Sequence, residues 1–276
     1  MSGRAATGGS GNAGAKAGGT SGNGGGGTGG VAGAKAGGAS GNGGGGSGAG
    51  GVAAGAGGGT AAAGSSSGSM SYSTSFAATE SPLRDGSIWK QGASDGLDWT
   101  DVNAKGGLGF GTMPINSPTF NDSIACLSGF PPDQTASATV STSAAPVGDR
   151  EFEVLLRWTI SAHVAHGYEC NYAWNGDYAQ VVWWRGPLGG FVQLENHDKP
   201  SPGAIQSGDI LTAQIVGSML TFKHTRGATV TTLITTDTST NQEAPAWKTG
   251  NPGIGFWRAG TTQPPWAYSH FSASAL

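Results

Sequence analysis

The chain has 276 residues and a formal net charge of −3, but glycine, aromatic residues and charge are unevenly distributed along it. Residues 1–71 hold 31 of the 53 glycines and no aromatic or acidic residue, whereas residues 72–276 hold all 23 aromatic residues and carry a formal charge of −6. No stretch of about 18 apolar residues could span a membrane, and an acidic domain does not match a nucleic-acid binder, which needs a basic face. Two cysteines, Cys126 and Cys170, exclude a disulfide-rich scaffold and a four-cysteine zinc site, and they could pair or stay free. We therefore expect a glycine-rich arm followed by one domain with a sizeable core.

The arm, residues 1–71, contains an internal repeat of 19 residues. Residues 13–27 recur almost unchanged as residues 32–46, and each copy has one lysine and a run of four glycines. The arm lacks proline and a strict glycine at every third position, so it is not a collagen helix. Because it has almost no large apolar side chains, we expect a flexible coil when it is alone. It would serve as a spacer, or as an arm that orders against neighbouring subunits of an assembly.

From Tyr72 onward the pattern predicts short β-strands joined by turns. Residues 150–160 alternate in polarity, which predicts a strand with one buried face and one polar face. Residues 168–174 and 178–185 flank an Asn-Gly-Asp turn and predict a hairpin; residues 209–216 and 219–224 flank Gly-Ser and predict another. Further strands are expected at residues 72–77, 107–112, 120–127, 135–142, 191–195, 228–235, 253–258 and 267–273. Twelve or more short strands indicate that residues 72–276 form an all-β, two-sheet antiparallel jelly-roll sandwich with six or seven strands in each sheet.

Parts of residues 72–276 resemble concanavalin A-like (laminin-G-like) lectin and glucanase domains. The resemblance lies in the hairpin of residues 207–223 with Gly227 and the Thr/Val strand after it, in Asn251–Trp257, and in residues 85–99, where a Trp stands on each side of Gly92. It implies a jelly roll whose curved front sheet often presents sugar-binding or catalytic residues. Similar domains occur on phage particles and bacterial surface proteins, and the fold by itself assigns no activity.

The match to the hydrolases of this fold is weak. Glu151 and Glu153 stand two residues apart and would share one face of a strand, as the paired carboxylates of retaining glycosidases do. They begin the predicted strand, beside Asp149 and Arg150, and no acidic residue follows at 155 or 157. We therefore interpret them as charges at a solvated edge, and we expect a protein that is not an enzyme.

Metal and lyase sites are also weakly indicated. His163 and His166, in a predicted loop, are residue types that polysaccharide lyases use, and with Glu169 they could hold a metal. Three aspartates recur every third residue and could bind calcium: Asp95, Asp98 and Asp101. Surface and turn roles are favoured for both groups, so no cofactor is expected, with calcium as the open alternative.

Aromatic side chains are concentrated on the predicted hairpin of residues 168–185. Tyr178, Gln180 and Trp184 would share one face of a strand and Trp183 the other, so one of the two adjacent Trp is expected on a front face or a subunit contact unless the strand is buried on both sides. Flat rings stack on sugars and anchor protein interfaces, with core filling as the alternative. The predicted carbohydrate-binding residues are Trp174, Tyr178, Gln180, Trp183 and Trp184, with polar contacts from Arg157 and Glu153.

Together these features predict a display module, a lectin-like domain with glycans as candidate ligands on a glycine-rich arm. Met1–Thr7 leads directly into glycine and lacks the apolar stretch of a secretory signal. This favours a bacteriophage virion component, such as a head fibre, decoration or tail-fibre protein that contacts other subunits through the arm. The alternatives are a secreted or surface-anchored carbohydrate-binding protein whose signal was removed and, third, a polysaccharide hydrolase or lyase.

Overall fold

The computed structural model describes residues 70–114, 122–146, 150–187, 190–240, 247–258 and 265–276. The predicted arm therefore lies outside the described residues, except for Met70 and Ser71. The described residues form fifteen strands and one 3₁₀ turn, at Ala93–Asp95. In chain order the strands are β1 (Ser71–Thr74), β2 (Lys90–Gln91), β3 (Val102–Lys105), β4 (Leu108–Gly111), β5 (Ser123–Cys126), β6 (Gln134–Thr142), β7 (Glu151–Ser161), β8 (Val164–Ala173), β9 (Tyr178–Gly186), β10 (Phe191–Asp198), β11 (Ile210–Val216), β12 (Met219–Arg226), β13 (Thr229–Asp237), β14 (Asn251–Trp257) and β15 (Trp266–Ala275).

The strands form two antiparallel sheets that pack face to face. The eight-stranded sheet has the order β13-β12-β11-β6-β15-β4-β3, and β1 also pairs with β15. The seven-stranded sheet has the order β10-β9-β8-β7-β14-β5-β2. The predicted all-β antiparallel sandwich is confirmed, and both predicted hairpins are present as β8–β9 and β11–β12. Two short strands, β2 and β3, had not been predicted.

The core between the sheets comes from alternate residues of the facing strands. The rings of Phe152, Phe256 and Tyr268 lie 4.9–6.3 Å apart between centroids. Trp174 stacks on Trp266 with centroids 5.6 Å apart and an interplanar angle of 23°. Because each such ring removes a large apolar area from water, this aromatic group supplies much of the hydrophobic stabilisation.

A second apolar cluster lies on the outer face of the seven-stranded sheet, the face turned away from the other sheet. The segment around the 3₁₀ turn places Trp99 against Trp184 and Trp158, with ring centroids 4.5 and 6.0 Å apart. The backbone N–H of His163, at the β7–β8 turn, donates to Gly96 O at 2.9 Å and holds this segment in place. One end of the outer face is therefore covered, and β7 is buried on both sides. The sequence predicted that the second face of this strand is polar and open to solvent. That prediction was wrong, because both faces are buried.

The two cysteines lie on opposite faces of the seven-stranded sheet. Cys170 is in the core between the sheets and Cys126 is in the outer cluster, and both are free and buried. Burial raises the pKa of the Cys126 thiol to about 12 and that of Cys170 well above its ordinary value. The sequence left open whether the two cysteines form a disulfide or stay free, and in the structure both are free thiols. Within the described residues, no helix has the length and hydropathy needed to cross a membrane.

Candidate functional site

A line of polar side chains crosses the outer face of the seven-stranded sheet, beside the apolar cluster. Glu153 on β7 is directly opposite Asn171 on β8, which is opposite Gln180 on β9, which is opposite Asn196 on β10. Directly opposite residues of antiparallel strands point to the same face. The strand pairing therefore gathers four hydrogen-bonding side chains from residues that are up to 43 positions apart in the sequence.

Next to the accessible end of this line, Tyr178 on β9 is opposite Asp198 on β10, and together with Gln180 and Asn196 they form what we call the polar row: Tyr178, Gln180, Asn196 and Asp198. Gln180 Nε2 donates to Asn196 Oδ1 at 3.0 Å, and Asn196 Nδ2 donates to Asp198 Oδ1 at 2.6 Å. The Tyr178 hydroxyl donates to Glu151 Oε1 at 2.5 Å. Asn196 and Asp198 are exposed, and Tyr178 and Gln180 are half-buried. The row is thus preorganised by its own hydrogen bonds while it remains open to solvent.

At the buried end of the line, Glu153 lies close to two further buried carboxylates, and we call the three residues the carboxylate cluster: Asp122, Glu153 and Glu169. One carboxylate oxygen from each of the three residues lies within 4.8 Å of the others, and all three side chains are buried. Glu169 accepts hydrogen bonds from Asn171 Nδ2 at 2.7 Å and from Trp184 Nε1 at 2.6 Å. These two donors fix the orientation of one carboxylate in the cluster.

A glycine makes room for the cluster. Gly255 on β14 is paired with Glu153, and a Cβ at Gly255 would lie 2.1 Å from Glu153 Oε2. Only a glycine lets the carboxylate of Glu153 lie across the neighbouring strand. Since β7 is the fourth of seven strands and Glu153 is buried, the interpretation of Glu151 and Glu153 as solvated edge charges was wrong.

The structure separates the predicted carbohydrate-binding residues into three groups. Tyr178, Gln180 and Glu153 lie along the polar line of the outer face. Trp184 lies on the same face but is fully buried against Trp99. Trp174 and Trp183 belong to the core between the sheets, so the adjacent Trp183 and Trp184 are both buried, on opposite faces of β9. As placed, neither core ring can stack on a sugar at the outer face.

Arg157 lies away from this line, at a bulge in β7 where its φ is +48°. Its guanidinium is 1% exposed and donates to three backbone carbonyls, those of Pro132, Trp247 and Gly217, each at 2.7 Å. A fourth bond reaches Asp133 Oδ1 at 3.2 Å. This residue ties loops from several parts of the chain together, and its donors do not face the polar row.

The other candidate groups engage partners of their own. His163 lies at the β7–β8 turn, and its Nδ1 is 2.8 Å from the Asp98 carboxylate. The ring of His166 packs on Trp247, with ring centroids 4.8 Å apart. Asp95 accepts from Arg84 at 3.0 Å and from the Gln91 backbone at 2.6 Å. Asp101 accepts from the Ser94 hydroxyl and backbone. The three loop aspartates therefore bond to separate groups rather than to a shared centre.

Sequence reasoning missed Asp122, Asn171, Asn196 and Asp198 as members of the site. Their common signal is position: Asn171, Asn196 and Asp198 lie on the outer face of their strands, each opposite a residue already suspected, and Asp122 directly precedes β5. That signal appears only once the hairpins are aligned residue by residue, because no local motif surrounds any of the four.

No family model and no curated protein matches the chain. Among solved structures, it is similar to the carbohydrate-binding module CBM66 from Bacillus subtilis, with 11% identity, 71% of this chain and 96% of that one covered, and a TM-score of 0.38. It is also similar to the exoplasmic/lumenal domain of VIP36 in its Ca²⁺- and Man3GlcNAc-bound form, with 11% identity, 68% and 84% covered, and a TM-score of 0.47. A putative β-glucanase from Mycobacterium abscessus matches with 14% identity, 73% and 98% covered, and a TM-score of 0.43.

Three structures described as glycoside hydrolase family 43 proteins and a xylan β-1,4-xylosidase from Bacillus halodurans also match, and the chain spans 38–39% of their length. The names of these neighbours agree with the lectin and glucanase resemblance of the sequence. Because the identities are below 25% and the TM-scores below 0.5, they do not transfer a function. The function proposed below therefore rests on the geometry of this chain.

Proposed function

We propose that the domain binds a glycan at the polar row of the seven-stranded sheet. The observation that carries this proposal is that Tyr178, Gln180, Asn196 and Asp198 are accessible, hydrogen-bonded to their neighbours and gathered on one face. Sugar hydroxyls both donate and accept hydrogen bonds. The two amides of the row offer both functions, and the carboxylate of Asp198 accepts.

The dimensions of the row suit one sugar ring. Neighbouring strands are about 4.8 Å apart, and residues two apart along a strand are separated by about 6.7 Å. Tyr178 and Gln180 on β9, with Asn196 and Asp198 on β10, thus outline a patch of about 5 by 7 Å. A terminal or single internal sugar unit of a neutral polysaccharide is the ligand class that this patch favours.

The test is binding of the full chain to a glycan array, followed by calorimetry on any glycan that binds. Gln180→Ala and Asn196→Ala each remove a side chain that both donates and accepts, so we expect each variant to weaken binding about tenfold. The matched control is Gln214→Ala. Gln214 is also a half-buried glutamine in a strand, but it lies on the outer face of the eight-stranded sheet.

The outcomes separate the alternatives. Equal losses in Gln180→Ala and Gln214→Ala would place the glycan elsewhere, and an array without any bound glycan would contradict the proposal. Shortening of a bound oligosaccharide that stops in Glu153→Gln would instead indicate a hydrolase, since the close carboxylates also suit that chemistry. We favour binding because the row is open whereas Glu153 is fully buried.

The setting of the domain is a separate proposal. The repeated glycine-rich arm supports a virion component that is attached to other subunits through the arm, with a secreted lectin as the alternative. Protection of residues 1–71 from protease in an intact particle would support this setting. Free cleavage of the arm within such a particle would contradict it.

A further inference from the structure

The carboxylate cluster has the composition of a site for a hard cation. Glu153 lies on β7, Glu169 on β8 and Asp122 directly before β5, and one oxygen of each lies within 4.8 Å of the others. Calcium takes oxygen ligands at 2.3–2.6 Å, so two oxygens on opposite sides of one ion are about 5 Å apart at most. The three oxygens are therefore close enough to share a single ion without a rearrangement of the sheet.

Electrostatics favour a cation at this point. Three carboxylates at one buried place repel one another, and each carries a desolvation cost as an anion. Zinc and copper sites usually include His or Cys, and this cluster offers only oxygen. Calcium tolerates irregular sets of six to eight oxygens, whereas magnesium demands near-octahedral geometry and retains its waters. The donor set thus points to calcium.

A second observation comes from Asn171, which is fully buried on the same face. Its Nδ2 donates to Glu169 Oε1 at 2.7 Å, which fixes the amide orientation, since the flipped amide would place two oxygens against each other. Its Oδ1 is then left, among the described residues, as a buried acceptor with no hydrogen-bond partner. Asn171 is also directly opposite Glu153 and bonds to Glu169, so its amide lies beside the cluster. A buried amide oxygen in that position is what a cation ligand requires.

We propose that the carboxylate cluster binds a calcium ion, with Asp122, Glu153 and Glu169 as carboxylate ligands and Asn171 Oδ1 as a fourth protein oxygen. Asn171 and Trp184 orient the Glu169 carboxylate through their hydrogen bonds. Gly255 provides the space in which Glu153 reaches the site. This proposal does not depend on glycan binding.

Trp184 allows ion binding at the site to be measured by luminescence. Its indole nitrogen is 2.6 Å from Glu169 Oε2, so an excited indole would transfer energy to a Tb³⁺ ion that replaces calcium. The experiment titrates Tb³⁺ into the EDTA-treated full chain without any glycan. We expect saturable emission that calcium displaces, and Glu153→Gln and Glu169→Gln should each weaken Tb³⁺ binding about tenfold or more.

Two further variants give the controls. Trp184→Phe should dim the emission while calorimetry still detects calcium binding, because the indole is a reporter and not a ligand. Asp101→Asn changes an exposed loop carboxylate near Trp99 and should leave the titration unchanged. Loss of emission in Asp101→Asn with none in Glu153→Gln would overturn the proposal.

The melting temperature of the unaltered chain gives a measurement that does not depend on the variants folding. An ion that binds the folded state raises this temperature, so calcium should raise it and EDTA should lower it. A chain that shows neither this shift nor Tb³⁺ emission has no such site. Failure of the glycan array would leave these results unaffected.

Discussion

Arg157 shows how packing, rather than residue type, decides what a side chain does. Its charge and its place in a polarity-alternating strand suggested a polar contact to sugar. In the fold, a bulge and a φ of +48° turn the guanidinium to the carbonyls of Pro132, Trp247 and Gly217. Gly250 packs so closely on the Arg157 carbonyl that a Cβ there would lie 2.2 Å from its oxygen. The planar guanidinium of Arg157 therefore links three loops through hydrogen bonds to their backbone carbonyls.

Arg157→Lys is expected to destabilise the domain by about 3 kcal/mol, because an ammonium cannot reach donors spread across a guanidinium fork and leaves buried carbonyls unsatisfied. Denaturant unfolding measures this loss. Affinity for any glycan found on the array should be unchanged under conditions where the variant stays folded. A weaker affinity without a loss of stability would contradict this role and would indicate that Arg157 contacts the glycan.

At the scale of elements, the end of the β11–β12 hairpin opposite its turn is held together by an ion pair between a buried Asp209 and a half-buried Arg226. Asp209 is 2% exposed and accepts from Arg226 Nε at 2.8 Å and Nη2 at 2.6 Å, and Arg226 Nη2 also donates to Ala204 O. Burial alone would raise the pKa of Asp209. The hydrogen bonds from Arg226 and from the Gln206 backbone, together with His224, hold that pKa below the ordinary value of 3.8.

This depressed pKa makes the hairpin acid-sensitive. A carboxylate whose pKa is lowered in the folded state stabilises the fold above the unfolded value of 3.8, and that stability is lost as the pH falls through the folded pKa. Asp209→Asn should cost roughly 3 kcal/mol at neutral pH and should flatten the pH dependence of unfolding below about pH 4. Arg226→Gln should flatten it as well, because it removes the partner. An unchanged acid slope in both variants would contradict this account.

The sequence predicted the elements whose determinants are local. Gly217-Ser218 and Asn175-Gly176-Asp177 are turn residues, so both hairpins and their alternation followed from short segments. The two-residue β2 is too short to show a periodic pattern. Its pairing with β5 depends on residues more than 30 positions away in the sequence. The site divides in the same way: Tyr178 and Gln180 lie on one face of β9 by alternation alone, whereas Glu153, Asn171 and Asn196 join them only through the registers of β7–β8, β8–β9 and β9–β10.

At the scale of the whole molecule, the seven-stranded sheet separates two apolar layers. Cys170 reports on the layer between the sheets and Cys126 on the outer cluster. For Cys126 burial raises the pKa to about 12, so the thiol stays protonated at pH 8. Neither thiol has access to solvent in the folded state.

Both thiols should therefore resist a thiol-specific reagent at pH 8 until the domain unfolds, and two equivalents should react in denaturant. If the two layers unfold cooperatively, mass spectrometry at intermediate denaturant will find molecules with no label or two labels. A singly labelled species at Cys126 alone would show that the outer cluster opens separately from the core.

The position of the last two strands has a consequence for biosynthesis. β14 lies between β7 and β5, and β15 lies between β6 and β4, so residues 251–276 supply an interior strand to each sheet. Until those residues leave the ribosome, each sheet is two fragments with unpaired edges. The domain therefore completes its fold only after β15 has emerged from the ribosome, and a chain that stops before β14 leaves both sheets interrupted.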